Sequence, residues 1–241
     1  MDAPLRSVAI ALLLIVPLAL GGCAAEQTLG GLLGGGGGPL DESTVAAGLK
    51  EALRVGTDRT VSVTSALNGF LGNELIRIAM PEQLESMAGT LRTVGLGGQV
   101  DEMETAMNRA AELAAGEATD VFVSAITQMT IADAFGILNG GDRAATDYFQ
   151  EKTTEELSGR FRPIVSEKME EVGLARIYGD LSTRYNALPF VTTPAVDLTD
   201  YVTERALGGL FTVLAQEEGK IREDPAARTT ALLKRVFGGK S

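Results

Sequence analysis

Residues 100–129, VDEMETAMNRAAELAAGEATDVFVSAITQM, decide the fold class of this 241-residue chain. Apolar and small residues recur in this stretch three or four positions apart, which is the spacing of one helix face. They are Met103, Met107, Ala111, Ala114, Ala118, Val121, Phe122, Ala125 and Met129. The stretch contains no proline. This pattern predicts a long amphipathic helix, and we expect it to lie at the centre of the domain.

The residues before this stretch show weaker helical signals. A first helix is predicted over about residues 42–55, ending at Gly56, with a weak second helix from Asp58. Residues 76–80 alternate like a short strand before Pro81, which suits the first turn of the next helix. We interpret residues 76–80 as an extended linker and not as part of a sheet.

Polar side chains that suit helix starts divide the residues after the central stretch. These are Thr130 with Asp133, Asp142, Thr153 with Glu156, Asp197 with Asp200, and Asp224 with Pro225. Pro163 is expected to kink the Thr153 helix or to begin a new one. Because no internal repeat and no βαβ alternation is found, the sequence predicts an all-α fold. The expected architecture is an irregular multi-helix bundle of about eight or nine helices.

Three glycines fall inside helical patterns, at Gly116, Gly208 and Gly209. A glycine in a helix interior costs about 1 kcal/mol relative to alanine. We therefore expect these positions to allow close crossings between helices.

The composition excludes several classes of function. Lysine and arginine total 21 against 32 aspartate and glutamate residues, so the formal net charge is −11 and nucleic acid is not expected as a partner. The chain has no histidine, and its one cysteine is Cys23. A Ser-His-Asp or Cys-His pair and a His- or Cys-ligated metal site are therefore excluded. No catalytic, cofactor-binding or metal-binding residue is predicted.

The N-terminus has the pattern of an export signal. Residues 8–20 are apolar apart from Pro17, which is shorter than the about 20 residues that a membrane-spanning helix needs. The residues that follow, Leu20-Gly21-Gly22-Cys23, resemble the lipobox of bacterial lipoproteins, in which the cysteine receives lipid and becomes the new N-terminus. The predicted organisation is a signal peptide over residues 1–22, a lipidated glycine-rich tether over 23–40 and a single helical domain over 41–238.

The lipid on Cys23 makes a membrane the expected partner. Several acyl chains anchor stably because each buried CH₂ contributes about 0.8 kcal/mol. Ala24 follows the cysteine, where aspartate would retain a lipoprotein in the inner membrane of bacteria with two membranes. We therefore expect an outer-membrane anchor facing the periplasm in such a host.

A set of polar residues on the central helix, the penultimate helix and the last predicted helix forms a candidate site: Asn108, Arg109, Glu112, Glu218, Arg222 and Arg228. Arg109 with Glu112 and Glu218 with Arg222 have the spacing of ion pairs within a helix. We interpret the set as a structural ion-pair network where helices cross. One alternative is a polar pocket that binds a small ligand through arginine. The other is a hydrolase that pairs Glu112 with Glu218, as glycoside hydrolases pair two carboxylates.

Several short runs carry a family resemblance, among them residues 108–112 (NRAAE), 145–149 (ATDYF), 209–211 (GLF) and 227–230 (ARTT). Together they resemble the bacterial domain-of-unknown-function family 4197, from about Val45 to Gly238. The resemblance implies an exported, often lipid-anchored, all-helical envelope protein. It implies no activity and no catalytic residues. The expected function is non-enzymatic binding of an envelope protein or an apolar ligand.

Overall fold

A computed structural model describes residues 41–224 and Lys234. Within that part of the chain there are seven helices and no strand. They are α1 (Glu42–Thr64), α2 (Glu82–Thr93), α3 (Gly97–Gln128), α4 (Ile131–Asn139), α5 (Ala144–Glu171), α6 (Leu174–Asn186) and α7 (Leu198–Glu223). Helix α3 consists of Gly97–Ala115, a 3₁₀ turn at Gly116–Ala118, and Thr119–Gln128. The predicted all-α class is confirmed. The predicted signal peptide, tether and Cys23, together with Arg228 and all of the predicted final helix except Lys234, lie outside the described residues.

The predicted count of eight or nine helices is slightly too high, in part because the predicted break at Gly56 does not occur. Helix α1 runs through Gly56, where Leu214 and Ile221 of α7 pack against it. The Thr60 hydroxyl donates to the Gly56 carbonyl at 2.8 Å, within the same helix. Packing against α7 therefore outweighs the low helix propensity of glycine.

The break predicted at Thr153 does not occur either. The Thr153 hydroxyl is buried and donates to the Phe149 carbonyl at 2.6 Å, so it does not start a new helix. Helix α5 also continues through Pro163. A proline has no backbone N–H, so the helical hydrogen bond to the carbonyl four residues earlier, here that of Gly159, is not formed. Gly159 is exposed, so water can reach this carbonyl.

Helix α3 lies at the centre of the domain, as predicted. It packs against α1, α2, α5, α6 and α7. Its predicted apolar face is buried except for Ala125, which is half-buried. The Phe122 ring meets Phe149 of α5 and Phe211 of α7 edge-on, with ring centroids 5.7 and 6.3 Å away. The continuous stripe of small and apolar residues thus allows α5 and α7 to cover α3 closely.

Residues 65–81, between α1 and α2, form an irregular segment that we call the 65–81 segment. Residues 77–80 of the predicted extended linker are neither helical nor part of a strand, whereas Ile76 lies in a turn. The segment still contributes to the core, because the side chains of Phe70, Ile76, Ile78 and Met80 are buried.

Helices α5 and α7 pack as an antiparallel pair. Glu218, near the end of α7, contacts Ala145 at the start of α5. Arg162, in the second half of α5, pairs with Asp200 at the start of α7. In the described part of the chain no single helix has the length and apolar composition of a membrane span. Helices α3 and α4 meet those criteria only together, as a pair bent by 104°.

Candidate functional site

Asn108 holds the 65–81 segment against α3. Its Oδ1 accepts the N–H of Ile78 at 2.9 Å, and its Nδ2 donates to the Ile78 carbonyl at 2.7 Å. The side chain is fully buried and also donates to the Glu104 carbonyl at 2.7 Å. The Asn108 amide thus forms hydrogen bonds with both the N–H and the carbonyl of Ile78, the two bonds that a neighbouring strand would supply in a sheet.

Glu112 and Arg109 hold the same segment one helical turn further along α3. Oε1 of Glu112 accepts the backbone N–H groups of Phe70 at 3.1 Å and Leu71 at 3.2 Å. Its Oε2 pairs with Nη1 of Arg109, whose Nη2 donates to Oδ1 of Asn68 at 2.8 Å. Both oxygens of this buried carboxylate are therefore bound by groups of the chain itself.

Glu218 performs the same task at the start of α5. Its Oε1 accepts the Ala145 N–H at 2.9 Å, and its Oε2 accepts the N–H and the hydroxyl of Thr146 at 2.9 and 2.8 Å. The sequence predicted that Asp142 caps this helix, and that prediction is wrong. The residue at the cap position is Arg143, which makes no side-chain cap bond. A carboxylate from a distant helix binds these N–H groups instead.

Arg222 completes this group of contacts. Its Nε and Nη2 donate to Oε1 of Glu218 at 2.9 and 2.8 Å, and Nη2 also donates to the Ile137 carbonyl at 2.9 Å. A third buried carboxylate, Glu217, lies between Lys220 at 2.6 Å and Arg59 at 3.6 Å.

The six residues of the predicted polar set therefore serve different segments. Asn108, Arg109 and Glu112 bind the 65–81 segment. Glu218 and Arg222 bind the facing ends of α5 and α4. Arg228 lies outside the described residues. Glu112 and Glu218 each face backbone donors of a different part of the chain, and neither is placed by these contacts on the wall of a shared cleft.

An open groove of about 650 Å³ lies between α5, α7 and the 65–81 segment, and we call it the α5–α7 groove. One wall is formed by polar side chains of α5. The second is formed by side chains of α7, most of which are spaced three or four residues apart. The third wall is formed by Leu75, Ile76 and Arg77. The lining residues are Gln150, Thr154 and Ser158 on α5, and Asp200, Thr203, Glu204, Arg205, Leu207, Gly208, Gly209, Phe211 and Thr212 on α7. No motif in the sequence predicts this groove.

The groove contains charges of both signs. Arg77 pairs with Glu104 at 3.2 Å, and Asp200 pairs with Arg162. Glu204 and Arg205 are exposed, and in the described part of the chain no ion pair is formed by either. The Arg205 guanidinium lies 5.2 Å from the centre of the Tyr201 ring, which positions its charge.

Polar groups of the groove differ in how they are satisfied. The hydroxyls of Thr154 and Thr212 donate to carbonyls of their own helices, at 2.5 and 2.8 Å. The hydroxyl of Thr203, a residue that is only 3% exposed, has no hydrogen-bond partner in the described protein. The site can therefore offer hydrogen bonds and charge to a bound molecule. Within the described residues, no group of three or more acidic, histidine or cysteine side chains is arranged to hold a metal ion.

Comparison with known proteins identifies the family. No curated protein and no solved structure matches the chain. One family model, described as protein of unknown function (DUF4197), matches residues 39–238. This match covers most of the chain, including every described helix and the α5–α7 groove. The chain therefore belongs to the DUF4197 family of proteins of unknown function.

Proposed function

We propose that this protein is a cell-envelope lipoprotein whose helical domain binds a ligand or partner without catalysis. The proposed anchor is lipid on Cys23. The proposed location in a host with two membranes is the outer membrane, with the helical domain facing the periplasm. The support for the anchor is the junction Leu20-Gly21-Gly22-Cys23 after an apolar stretch of signal-peptide length.

The binding function is proposed because of the α5–α7 groove. It is open to solvent and lined by side chains that donate and accept hydrogen bonds. Its volume of about 650 Å³ falls within the range of about 300–1,000 Å³ typical of ligand pockets. A binding protein needs such a concave surface but no reactive group.

The buried carboxylates support binding over hydrolysis. A general acid or base must exchange a proton with its substrate. The oxygens of Glu112 and Glu218 instead accept hydrogen bonds from the chain's own backbone. The alternative functions, a carboxylate hydrolase or a ligand pocket built from Arg109, Glu112, Glu218 and Arg222, therefore receive no support from these contacts.

The anchor is tested by replacing Cys23 with serine in the full chain. We expect the wild type to incorporate radiolabelled palmitate and to remain with membranes after a high-salt wash. The Cys23→Ser variant should incorporate none. Label in the serine variant at the wild-type level would refute the lipoprotein assignment.

The binding function is tested with a photo-crosslinking amino acid, p-benzoylphenylalanine, placed at Ser158 in the groove of the full chain in its host. The control places it at Glu155, an exposed position of the same helix that does not line the groove. We expect an ultraviolet-dependent adduct at Ser158 that is absent at Glu155. Equal adduct formation at both positions, or at neither, would contradict binding in the groove.

A further inference from the structure

We propose that the α5–α7 groove binds a short zwitterionic peptide segment, which carries amide groups together with a positive and a negative charge. This inference rests on the proposed binding function and adds the chemical class of the ligand. It follows from three features of the groove: two positions that are unfavourable for stability alone, the neighbouring unpaired charges, and the absence of an exposed aromatic face.

At two positions of the groove, Thr203 and Gly208, another residue would make the folded protein more stable. The buried hydroxyl of Thr203 lacks a partner in the protein, although valine would fill the same volume without an unsatisfied group. Gly208 lies in the middle of α7, and a methyl group added there would meet no atom within 4 Å. Alanine would therefore be the better helix residue. A buried hydroxyl without a partner and without a packing reason is typical of a functional site. Open space beside a glycine is not peculiar to the groove, since Gly219 of the same helix has it too.

The charges of the groove define the ligand's charges. Glu204 and Arg205 are adjacent in sequence, exposed and without ion-pair partners in the described chain. A carboxylate of the ligand can bind Arg205, and an ammonium can bind Glu204. A ligand with one sign of charge would leave one of these groups facing a like charge. A zwitterion satisfies both.

The remaining groups favour a peptide over a sugar. Gln150 offers both an amide donor and an acceptor, and the hydroxyl oxygens of Thr154 and Thr212 can accept N–H groups because their own hydrogens are already donated. Sugar sites usually present an aromatic face to the ring. Here Phe211 is only 5% exposed, and the Arg205 guanidinium lies over the Tyr201 ring.

The proposal is tested by affinity selection on the full chain in lipid nanodiscs. The first probe is a pool of tetrapeptides with free termini that contain one lysine, one glutamate and two alanines in every order. The second is the same pool with acetylated lysine, glutamine for glutamate and blocked termini, and the third is chitotetraose. We expect retention of the charged pool only, followed by a Kd measured by calorimetry for the peptides retained.

Three variants and a matched control make this test specific. Thr203→Val and Arg205→Gln should each weaken binding about tenfold, the equivalent of one hydrogen bond or charge contact. Gly208→Ala should weaken it by a similar factor, because its methyl group would occupy space in the groove. Gly219→Ala is the control, because Gly219 also lies in α7 with open space around it but does not line the groove. It should bind as the wild type does.

Thermal unfolding separates loss of a site from loss of folding. Thr203→Val should raise the Tm by about 2 to 4 °C, because an unsatisfied buried group is removed. Gly208→Ala and Gly219→Ala should raise it by a similar amount through helix propensity. Weaker binding in a more stable protein cannot result from unfolding.

Two results would overturn the peptide proposal: retention of chitotetraose or of the neutral pool in place of the charged pool, and equal retention by the wild type and all groove variants. Retention of no probe overturns it as well. If the Ser158 adduct forms in any of these cases, binding in the groove stands and only the ligand class fails. If no adduct forms, the binding function itself fails.

Discussion

Glu218 and Arg222, one helical turn apart on α7, bind the facing ends of two consecutive helices. The Glu218 carboxylate accepts N–H groups at the start of α5, and the Arg222 guanidinium donates to the Ile137 carbonyl near the end of α4. A negative group thus lies at a helix N-terminus and a positive group at a helix C-terminus, as the helix dipoles favour. The two side chains also pair with each other at 2.8 Å.

We expect Arg222→Ala to lower the free energy of unfolding by about 3 to 5 kcal/mol, because it leaves the buried Glu218 carboxylate without its cation. The matched control is Arg176→Ala, since Arg176 is 71% exposed and pairs with Asp180 at 3.7 Å. That change should cost about 0 to 1 kcal/mol. Urea unfolding of the purified full chain measures both. Equal or higher stability of the Arg222 variant would favour a ligand pocket at this place over a structural pair.

Glu112→Gln should release the 65–81 segment. The Glu112 carboxylate pairs with Arg109 and accepts the N–H groups of Phe70 and Leu71. A glutamine can still accept through its one carbonyl oxygen, but its side chain carries no charge. Loss of one partner from a buried pair costs about 3 to 5 kcal/mol. Amide hydrogen exchange should also become faster at Phe70 and Leu71.

Glu102→Gln is the control for this change, because Glu102 is exposed on the same helix. It should alter neither the stability nor the exchange of the 65–81 segment. Unchanged exchange at Phe70 and Leu71 in the Glu112 variant would show that other contacts hold the segment in place.

The sequence predicted those parts of the fold that depend on local pattern. The central helix α3 was predicted because its small and apolar residues keep one helical period over about eight turns, and tertiary packing uses that same face. The start of α4 was predicted because Thr130 and Asp133 satisfy each other's backbone N–H groups within one turn. Asp197 likewise accepts the Asp200 N–H at 2.9 Å at the start of α7.

Features that depend on distant segments could not be predicted in this way. Gly56 continues a helix because α7 packs on it. Helix α5 starts without a cap from its own residues because the carboxylate that binds its first N–H groups is that of Glu218, more than 70 residues away in sequence. The three walls of the α5–α7 groove come from residues 75–77, 150–158 and 200–212. No periodicity indicates which helix faces become neighbours. The one available signal was the glycine pair in α7, which we assigned to helix crossings.

Acidification should destabilise the domain through aspartates that bind helix starts. Hydrogen bonds hold the pKa of each of these carboxyls below its ordinary value. The largest causes are the Ser43 hydroxyl for Asp41, the Thr130 hydroxyl for Asp133, and the Asp200 backbone N–H for Asp197. A lowered folded-state pKa means that the stabilisation is complete above the unfolded pKa of about 3.9 and is lost as the pH falls through the folded value.

We therefore expect the Tm to fall as the pH is lowered below about 4. A variant with asparagine at Asp41, Asp133 and Asp197 can still accept cap hydrogen bonds but cannot take up these protons. Its Tm should fall less than that of the wild type between pH 7 and pH 3. Identical falls in the two proteins would show that other groups govern the acid response.

The neighbouring glycines of α7 should respond to alanine with opposite signs. Helix crossings were predicted at both, but the contacts differ. A methyl group at Gly209 would lie 2.5 Å from Cε1 of Phe70 and 3.3 Å from Cβ of Ile76, both buried in the 65–81 segment, whereas one at Gly208 would meet nothing within 4 Å. The Phe70 ring is fully buried, so it cannot turn aside without displacing its neighbours.

Gly209→Ala should therefore lower the free energy of unfolding by up to about 2 kcal/mol, because an overpacking cost of about 1 to 3 kcal/mol outweighs the helix-propensity gain of about 1 kcal/mol. Gly208→Ala should keep that gain and raise the free energy of unfolding by up to about 1 kcal/mol. Urea midpoints of the two variants and the wild type give the comparison, with Gly219→Ala as the reference for propensity alone. If Gly209→Ala unfolds at the same urea concentration as Gly208→Ala, the close approach of Phe70 to α7 is not a constraint on the fold.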